Sequence, residues 1–141
     1  MNAPTVRVRA SAVCRYQNRL LTVRAIDPAS KQNYLFLPGG GVEPNELHAA
    51  AAVRETLEET GYRIKVVGEP LVLAYRFIWS GKPFDCLTSF FRGEFVDPTE
   101  TPAPTLDDDP NMHGMEWAPV DQIDTVFGYH DAILQAVRKL A

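Results

Sequence analysis

The sequence predicts an α/β fold in which a mixed β-sheet lies between helices. Three observations carry this expectation. The chain has 141 residues, 45% of them hydrophobic and 23% charged, which is the size and composition of one globular domain spanning residues 1–141. Strand-like segments outnumber helical ones and fall in the order β-β-β-α-β-β-β-α. Two helices in that order do not make a regular βαβ alternation, so the sheet should be mixed.

The elements follow in turn. Residues 6–16, VRVRASAVCRY, alternate Val6, Val8, Ala10 and Ala12 against Arg7, Arg9 and Ser11, the period of a half-buried strand. Gln17-Asn18 reads as a turn, and 19–26, RLLTVRAI, as a second strand. Residues 27–33 form a loop, followed by a short strand, YLFL, that runs into PGGG. Residues 45–60 read as a helix with Asn45 as its N-cap after Pro44 and Gly61 as a left-handed stop. Two β-rich runs come next, 63–79 (interrupted at GEP) and 83–96, joined by the turn SGK in a hairpin. Residues 97–112, DPTETPAPTLDDDPNM, are a long loop. A short strand at 114–120 and a helix at 131–141 carrying Ile133, Leu134, Val137 and Leu140 close the chain.

Charge and cysteine usage narrow the function. The net charge is −4 and no Lys/Arg cluster is present, which argues against binding nucleic acid. No apolar run is long enough to span a bilayer, and the N-terminal MNAPTVRVRA has no basic flank followed by an apolar stretch. A cytoplasmic protein without a membrane partner is the expectation. Cys14 and Cys86 form no CxxC and lie in strand-like segments, so both should be buried, reduced thiols.

The helix at 45–60 holds the most chemistry. On a helical wheel Ala49, Ala50, Val53 and Leu57 form a ridge that should pack against a sheet, and Glu55, Glu58 and Glu59 lie opposite, with Ala51 and Ala52 leaving open room as a pocket floor. Like charges three and four residues apart cost about 0.2–0.5 kcal/mol per pair. Carboxylates in a last turn also oppose the helix dipole, by about 0.3–1 kcal/mol each. A divalent cation would relieve both, and hard oxygen ligands favour Mg²⁺ or Mn²⁺ over Zn²⁺. Arg54, one turn before Glu58, fits either a bidentate clamp on a glutamate or an ordinary i,i+4 surface pair.

From Gly40 the chain runs five residues to Glu46, seven more to Arg54, and then Glu55-Thr56-Leu57-Glu58-Glu59-Thr60-Gly61-Tyr62. This resembles the box of the Nudix hydrolase family, G-x5-E-x7-R-E-U-x-E-E-x-G-U with U aliphatic, at every charged and glycine position over residues 40–62. YLFLPGG and MEWAPVDQI resemble the family's flanks. Thr56 and Tyr62 depart from the aliphatic pattern, and neither should disturb catalysis. The resemblance implies an α/β/α sandwich and metal-dependent hydrolysis of a nucleoside diphosphate linked to another group. It implies that Glu58 and Glu59 bind metal, that Arg54 orients the glutamates, and that Glu55 is a metal ligand or the base. The Gly39 carbonyl would complete the coordination, with Glu46 a structural partner near the helix start. The glycine run lacks the GK[ST] ending of a P-loop and reads as a turn.

Other candidates stand beside these. Glu100, Asp107, Asp108 and Asp109 in the long loop, and Glu116, are alternative bases, against the plainer reading of a solvated loop. Tyr75, Phe77, Trp79 and Phe84 are candidates for stacking on a base, although aromatic residues on strands more often fill cores. Arg7, Arg9, Arg24 and Arg76 could meet phosphates or be surface charges. His48, His113 and His130 have no metal-like spacing. A non-catalytic nucleotide sensor and an isomerase of allylic diphosphates are the rival functions. The isomerase would need extra length and paired Cys and Glu that the chain lacks. The expected partner is a small nucleoside diphosphate derivative, and a homodimer is compatible with the sequence. No substrate-binding residue and no particular substrate can be assigned at this level.

Overall fold

In the computed structural model the other strands assemble around β1 (Thr5–Tyr16). The structure describes residues 3–100, 102 and 110–141. β1 pairs in parallel with β6 (Lys82–Phe95), from Thr5 opposite Phe84 to Cys14 opposite Gly93. It pairs antiparallel with β2 (Arg19–Ile26) across the Gln17-Asn18 turn and with β4 (Gly39–Gly41) near its middle. β5 (Ile64–Trp79) forms a long hairpin with β6, and β2 pairs antiparallel with β3 (Asn33–Phe36) and β7 (Met112–Pro119). The hairpin turn places Ser80 and Gly81 at φ values of 54° and 74°. Two successive positive φ values match the right-handed twist of the flanking strands.

The sheet is buried on both faces because alternate residues point to opposite sides. Ala10, Ala12 and Cys14 of β1, with Phe91 of β6, meet α1 (His48–Thr60) through Ala51 and Ala52. Val13 and Phe90, their neighbours in sequence, pack on the opposite side against Ile133, Ala136 and Val137 of α3 (Asp131–Leu140). A 3-10 turn at Val120–Gln122 and the short α2 (Ile123–Val126) lead from β7 into α3. The result is the α/β/α sandwich expected from the sequence. No helix of the described residues is long and apolar enough to cross a membrane. Cys14 and Cys86 are free and buried as expected, and burial pushes the Cys14 thiol up to about 12.

Three local expectations are corrected. The helix begins at His48, not Asn45, and its N-cap position is Leu47, without a side-chain cap. Asn45 instead sits at φ 64° inside a turn closed by the Glu46 N–H on the Glu43 carbonyl at 3.0 Å. Pro followed by Asn at positive φ is the chemistry of a type II turn, and that turn outcompetes the cap.

The buried face of α1 is not the aliphatic ridge. Ala51, Ala52, Thr56 and Thr60 are buried, and Leu57 is exposed. The two threonines can be buried because each hydroxyl donates one turn back, Thr56 Oγ1 to the Ala52 carbonyl at 2.8 Å and Thr60 Oγ1 to the Thr56 carbonyl at 2.7 Å. Ala51 and Ala52 therefore let the helix approach the sheet closely and form no pocket floor.

The glycine run is not a turn but the strand β4, paired with Arg9, Ala10 and Ser11. At GEP the pairing of β5 with β6 is interrupted as expected, although the strand itself runs on. It continues through a register shift between Val67 and Leu71, with Gly68 at φ 76°, which is a β-bulge. Asp107, Asp108 and Asp109 lie outside the described residues.

Candidate active site

Arg54 organises the outer side of the site. Its guanidinium donates to Glu46 through Nε (2.8 Å) and Nη2 (3.0 Å), a bidentate clamp, and Nη2 also donates to the Gly41 carbonyl at 3.0 Å. Nη1 reaches Glu55 at 2.9 Å and Glu58 at 3.3 Å. One arginine thus ties the turn before α1, β4 and two of the three helix glutamates together, and its own pKa is raised by these carboxylates. Glu46 also accepts the Glu43 N–H at 3.0 Å. Arg54, followed by the Glu43 amide, holds the Glu46 carboxyl down at about 2, so it stays ionised. Both alternatives at Arg54 are realised: a bidentate clamp, with Glu46 rather than a helix glutamate as its partner, and the i,i+4 pair with Glu58.

The three helix glutamates differ in environment. Glu55 is nearly buried, with 18% side-chain exposure, whereas Glu58 has 51%. Desolvation raises the Glu55 pKa, and Arg54 opposes that shift. Glu59 turns toward the sheet, where its Oε1 accepts the Gly39 N–H at 2.7 Å. β4 has no side chains, and that is what lets these carboxylates past it. A Cβ on Gly40 would stand 2.5 Å from the Glu55 carboxyl carbon.

Beyond β4, Glu55, Glu59 and Gly39 open into a cavity of about 290 Å³ on the α3 side of the sheet. Arg7, Arg9 and Ser11, alternate residues of β1, form its floor. Tyr75, Phe77, Trp79 and Phe84 from the β5–β6 hairpin, with Phe36 and Tyr129, form an aromatic wall. The wall is continuous: Phe36 lies 5.7 Å from both Phe77 and Trp79, centroid to centroid, and Tyr34 stacks on Phe36 at 5.1 Å.

The structure brings together Glu55, Glu59, Gly39, Arg7, Arg9 and the four hairpin aromatics, with Arg54 and Glu58 at the outer edge. It does not bring in Arg24 and Arg76, which pair with Glu116 and with Asp85 (2.9 Å). Glu100 pairs with Arg63 at 3.5 Å. His48 meets Ser89 at 2.9 Å, and His130 caps α3, its Nδ1 accepting the Ala132 N–H at 3.1 Å. Ser11, Phe36 and Tyr129 were not anticipated. Ser11 shares the alternation of Arg7 and Arg9, and Phe36 lies three residues before the glycine strand, so both had a signal in the sequence. Tyr129 had none.

The donor set suits a hard divalent cation in its chemistry, because the clustered side chains offer carboxylate oxygens and no thiol. Among the described residues, no three His, Cys, Asp or Glu side chains already converge as a metal cluster. Arg54 supplies the positive charge nearest Glu55 and Glu58.

The NUDIX domain model matches residues 5–137, and the chain belongs to the Nudix hydrolase family. It is similar to a NUDIX hydrolase from Nitrosomonas europaea, at 27% identity over 96% of this chain and 87% of that one, with a TM-score of 0.69. A C. elegans Ap4A hydrolase in a binary complex shares the fold at 19% identity, covering 94% and 93% of the two chains with a TM-score of 0.70. The MutT protein from Methanosarcina mazei Go1 does so at 17% identity over 99% and 96%, with a TM-score of 0.66. No curated protein matches the sequence.

Proposed function

We propose that the protein is a single-domain, divalent-cation-dependent pyrophosphohydrolase that cleaves a nucleoside diphosphate linked to another group. The observation that supports it most is the shared cavity: carboxylates from α1 and cationic and aromatic side chains from the sheet face one space. A diphosphate with an organic moiety needs both ends.

Glu58 and Glu59, with the Gly39 carbonyl, would hold Mg²⁺ or Mn²⁺. Such a cation, when bound, would supply positive charge to neutralise the anhydride and acidify water. Glu55 accepts the proton of the attacking water, a role that its desolvated, upshifted carboxylate suits. Arg54 holds Glu55 and Glu58 in place through Nη1 while Glu46 fixes the guanidinium. Water oxygen bonds to one phosphorus, the bridging P–O bond breaks, and the departing phosphate leaves with the electron pair.

The test is hydrolysis with Mg²⁺ in heavy-oxygen water, with products identified. One neighbour is named an ADP compounds hydrolase and another an Ap4A hydrolase, so the panel should include an ADP-linked compound and a dinucleoside polyphosphate. One product phosphate should acquire the label. Label on a sugar carbon, or ligand binding with no turnover of any diphosphate, would overturn the reading, and the second result would favour a sensor.

A further inference from the structure

Arg9 stands apart from the other arginines. Among the described residues, Arg24, Arg54, Arg63, Arg76 and Arg138 pair with carboxylates. Arg15 and Arg92 donate to the carbonyls of Gln17 and Leu140, and Arg7 and Arg19 lie over the rings of Phe84 and Trp117. The Arg9 side chain has no hydrogen bond, ion pair or ring contact to any described residue, although it is half-buried and lines the cavity. A guanidinium set into a cavity wall with its donors turned to the open space, and committed to no protein group, is placed to receive an anionic ligand there.

The surroundings indicate which ligand. Arg9 lies on the cavity floor between the α1 carboxylates and the aromatic wall, and its charge is felt by Glu55 at one end and Tyr75 at the other. Arg7, one step outward on the same face, is already committed to Phe84 at 4.3 Å. A planar guanidinium with all donors open suits a phosphate, which accepts two parallel hydrogen bonds.

We infer that Arg9 is the specificity-determining anion anchor of the cavity, taking the substrate phosphate that is not attacked while the aromatic wall takes the organic moiety. This rests on the hydrolase reading for the position of the attacked phosphorus, but not for the anion contact itself. The anchor selects substrates by charge near the aromatic wall. It discriminates a nucleotide from a nucleoside before any cation binds.

The experiment separates the anchor from catalysis. Binding of ADP and of adenosine is measured in EDTA by calorimetry and tryptophan fluorescence, for the native protein, Arg9→Ala and Arg9→Lys. The native protein should bind ADP tighter than adenosine by about tenfold or more, the weight of one charge-assisted contact. Arg9→Ala should abolish that preference while leaving adenosine binding unchanged, and Arg9→Lys should keep part of it. In the Mg²⁺ assay Arg9→Ala should raise KM more than it lowers kcat.

Near-UV circular dichroism should report a native fold in both variants. An ADP preference that survives in Arg9→Ala, or no ADP binding to the native protein at millimolar concentration, overturns the anchor. Failure of hydrolysis with an intact, Arg9-dependent ADP preference would instead overturn the hydrolase reading alone.

Discussion

Gly40 and Glu55 occupy adjoining space so closely that the glycine's missing side chain is part of the glutamate's site. A Cβ there would lie 2.5 Å from the carboxyl carbon and 2.7 Å from both oxygens. The obstruction is the far end of a flexible side chain, which can swing away. Gly40→Ala should therefore change stability by no more than about 1 kcal/mol. Displacing the carboxylate should lower kcat by about a hundredfold. Gly39 is the opposite case, because a Cβ there meets Ser11 Oγ at 2.2 Å, the Ala10 carbonyl at 2.6 Å and Ser11 Cα at 2.8 Å. Backbone cannot move aside, and Gly39→Ala should cost about 3 kcal/mol or more in denaturant titration. Equal stability losses in the two variants would contradict this account.

The Arg54 clamp predicts an acid limb in the stability curve. Glu46 titrates at about 2 in the fold, against an ordinary value of 4.5. A carboxylate whose pKa is lowered by folding stabilises the fold above its unfolded pKa, and that contribution fades as pH falls toward the folded value. Glu46→Gln should thus be less stable than the native protein at neutral pH and lose less stability between about pH 4.5 and 2. Urea titrations at stepped pH measure both slopes, and parallel curves would remove Glu46 as the source.

Glu58 is the exposed member of the helix triad, with 51% side-chain exposure and a 3.3 Å contact to Arg54. Glu58→Gln should leave the cation-free melting temperature nearly unchanged, since an exposed pair of this kind is worth at most about 1 kcal/mol. Its kcat should fall about a hundredfold or more with little change in KM, because cation and carboxylate stabilise charge that develops in the transition state. Calorimetry should find Mg²⁺ or Mn²⁺ binding severely weakened in Glu58→Gln/Glu59→Gln. Binding undiminished in that double variant would remove the metal site from this helix.

Thr56 and Thr60 are both fully buried but should respond differently to valine. The Thr56 hydroxyl only donates one turn back, to the Ala52 carbonyl. Thr60 donates to the Thr56 carbonyl and also accepts the Tyr62 N–H at 3.2 Å, beyond the helix end. Thr56→Val should be neutral within about 1 kcal/mol, and Thr60→Val should cost about 1–3 kcal/mol for the amide left without an acceptor. Thermal melts of the two variants check the order.

The order of elements was legible because it rests on local alternation and on turn residues whose backbone needs are fixed. Gly61 sits at φ 79° with its N–H on the Leu57 carbonyl, as a terminal glycine should. The motif residues were legible as well, since their spacing is preserved through the turn, strand and helix that carry them. What failed depended on competition between neighbours. Asn45 can cap a helix or occupy a turn, and only the hydrogen bond from Glu46 to Glu43 decides.

The buried face of α1 was misjudged because hydropathy scores threonine as polar, while its hydroxyl can be satisfied inside its own helix. The cavity itself was not legible, since Arg9 and Trp79 come to line one space only through strand pairings distant in sequence.

The parallel pairing of β1 with β6 also sets an order of events during synthesis. Arg7 and Arg9 emerge well before their strand neighbours Cys86 and Thr88, which each follow 79 residues later (86 − 7 and 88 − 9). Until then the first strand can form its hairpin with β2 but lacks the partner along most of its length. Nascent chains stalled before residue 95 would lack the strand that holds this floor in place, and those stalled before Ile133 would lack part of the cavity lining, so ligand capture and full resistance to proteolysis should arrive together and late on the ribosome.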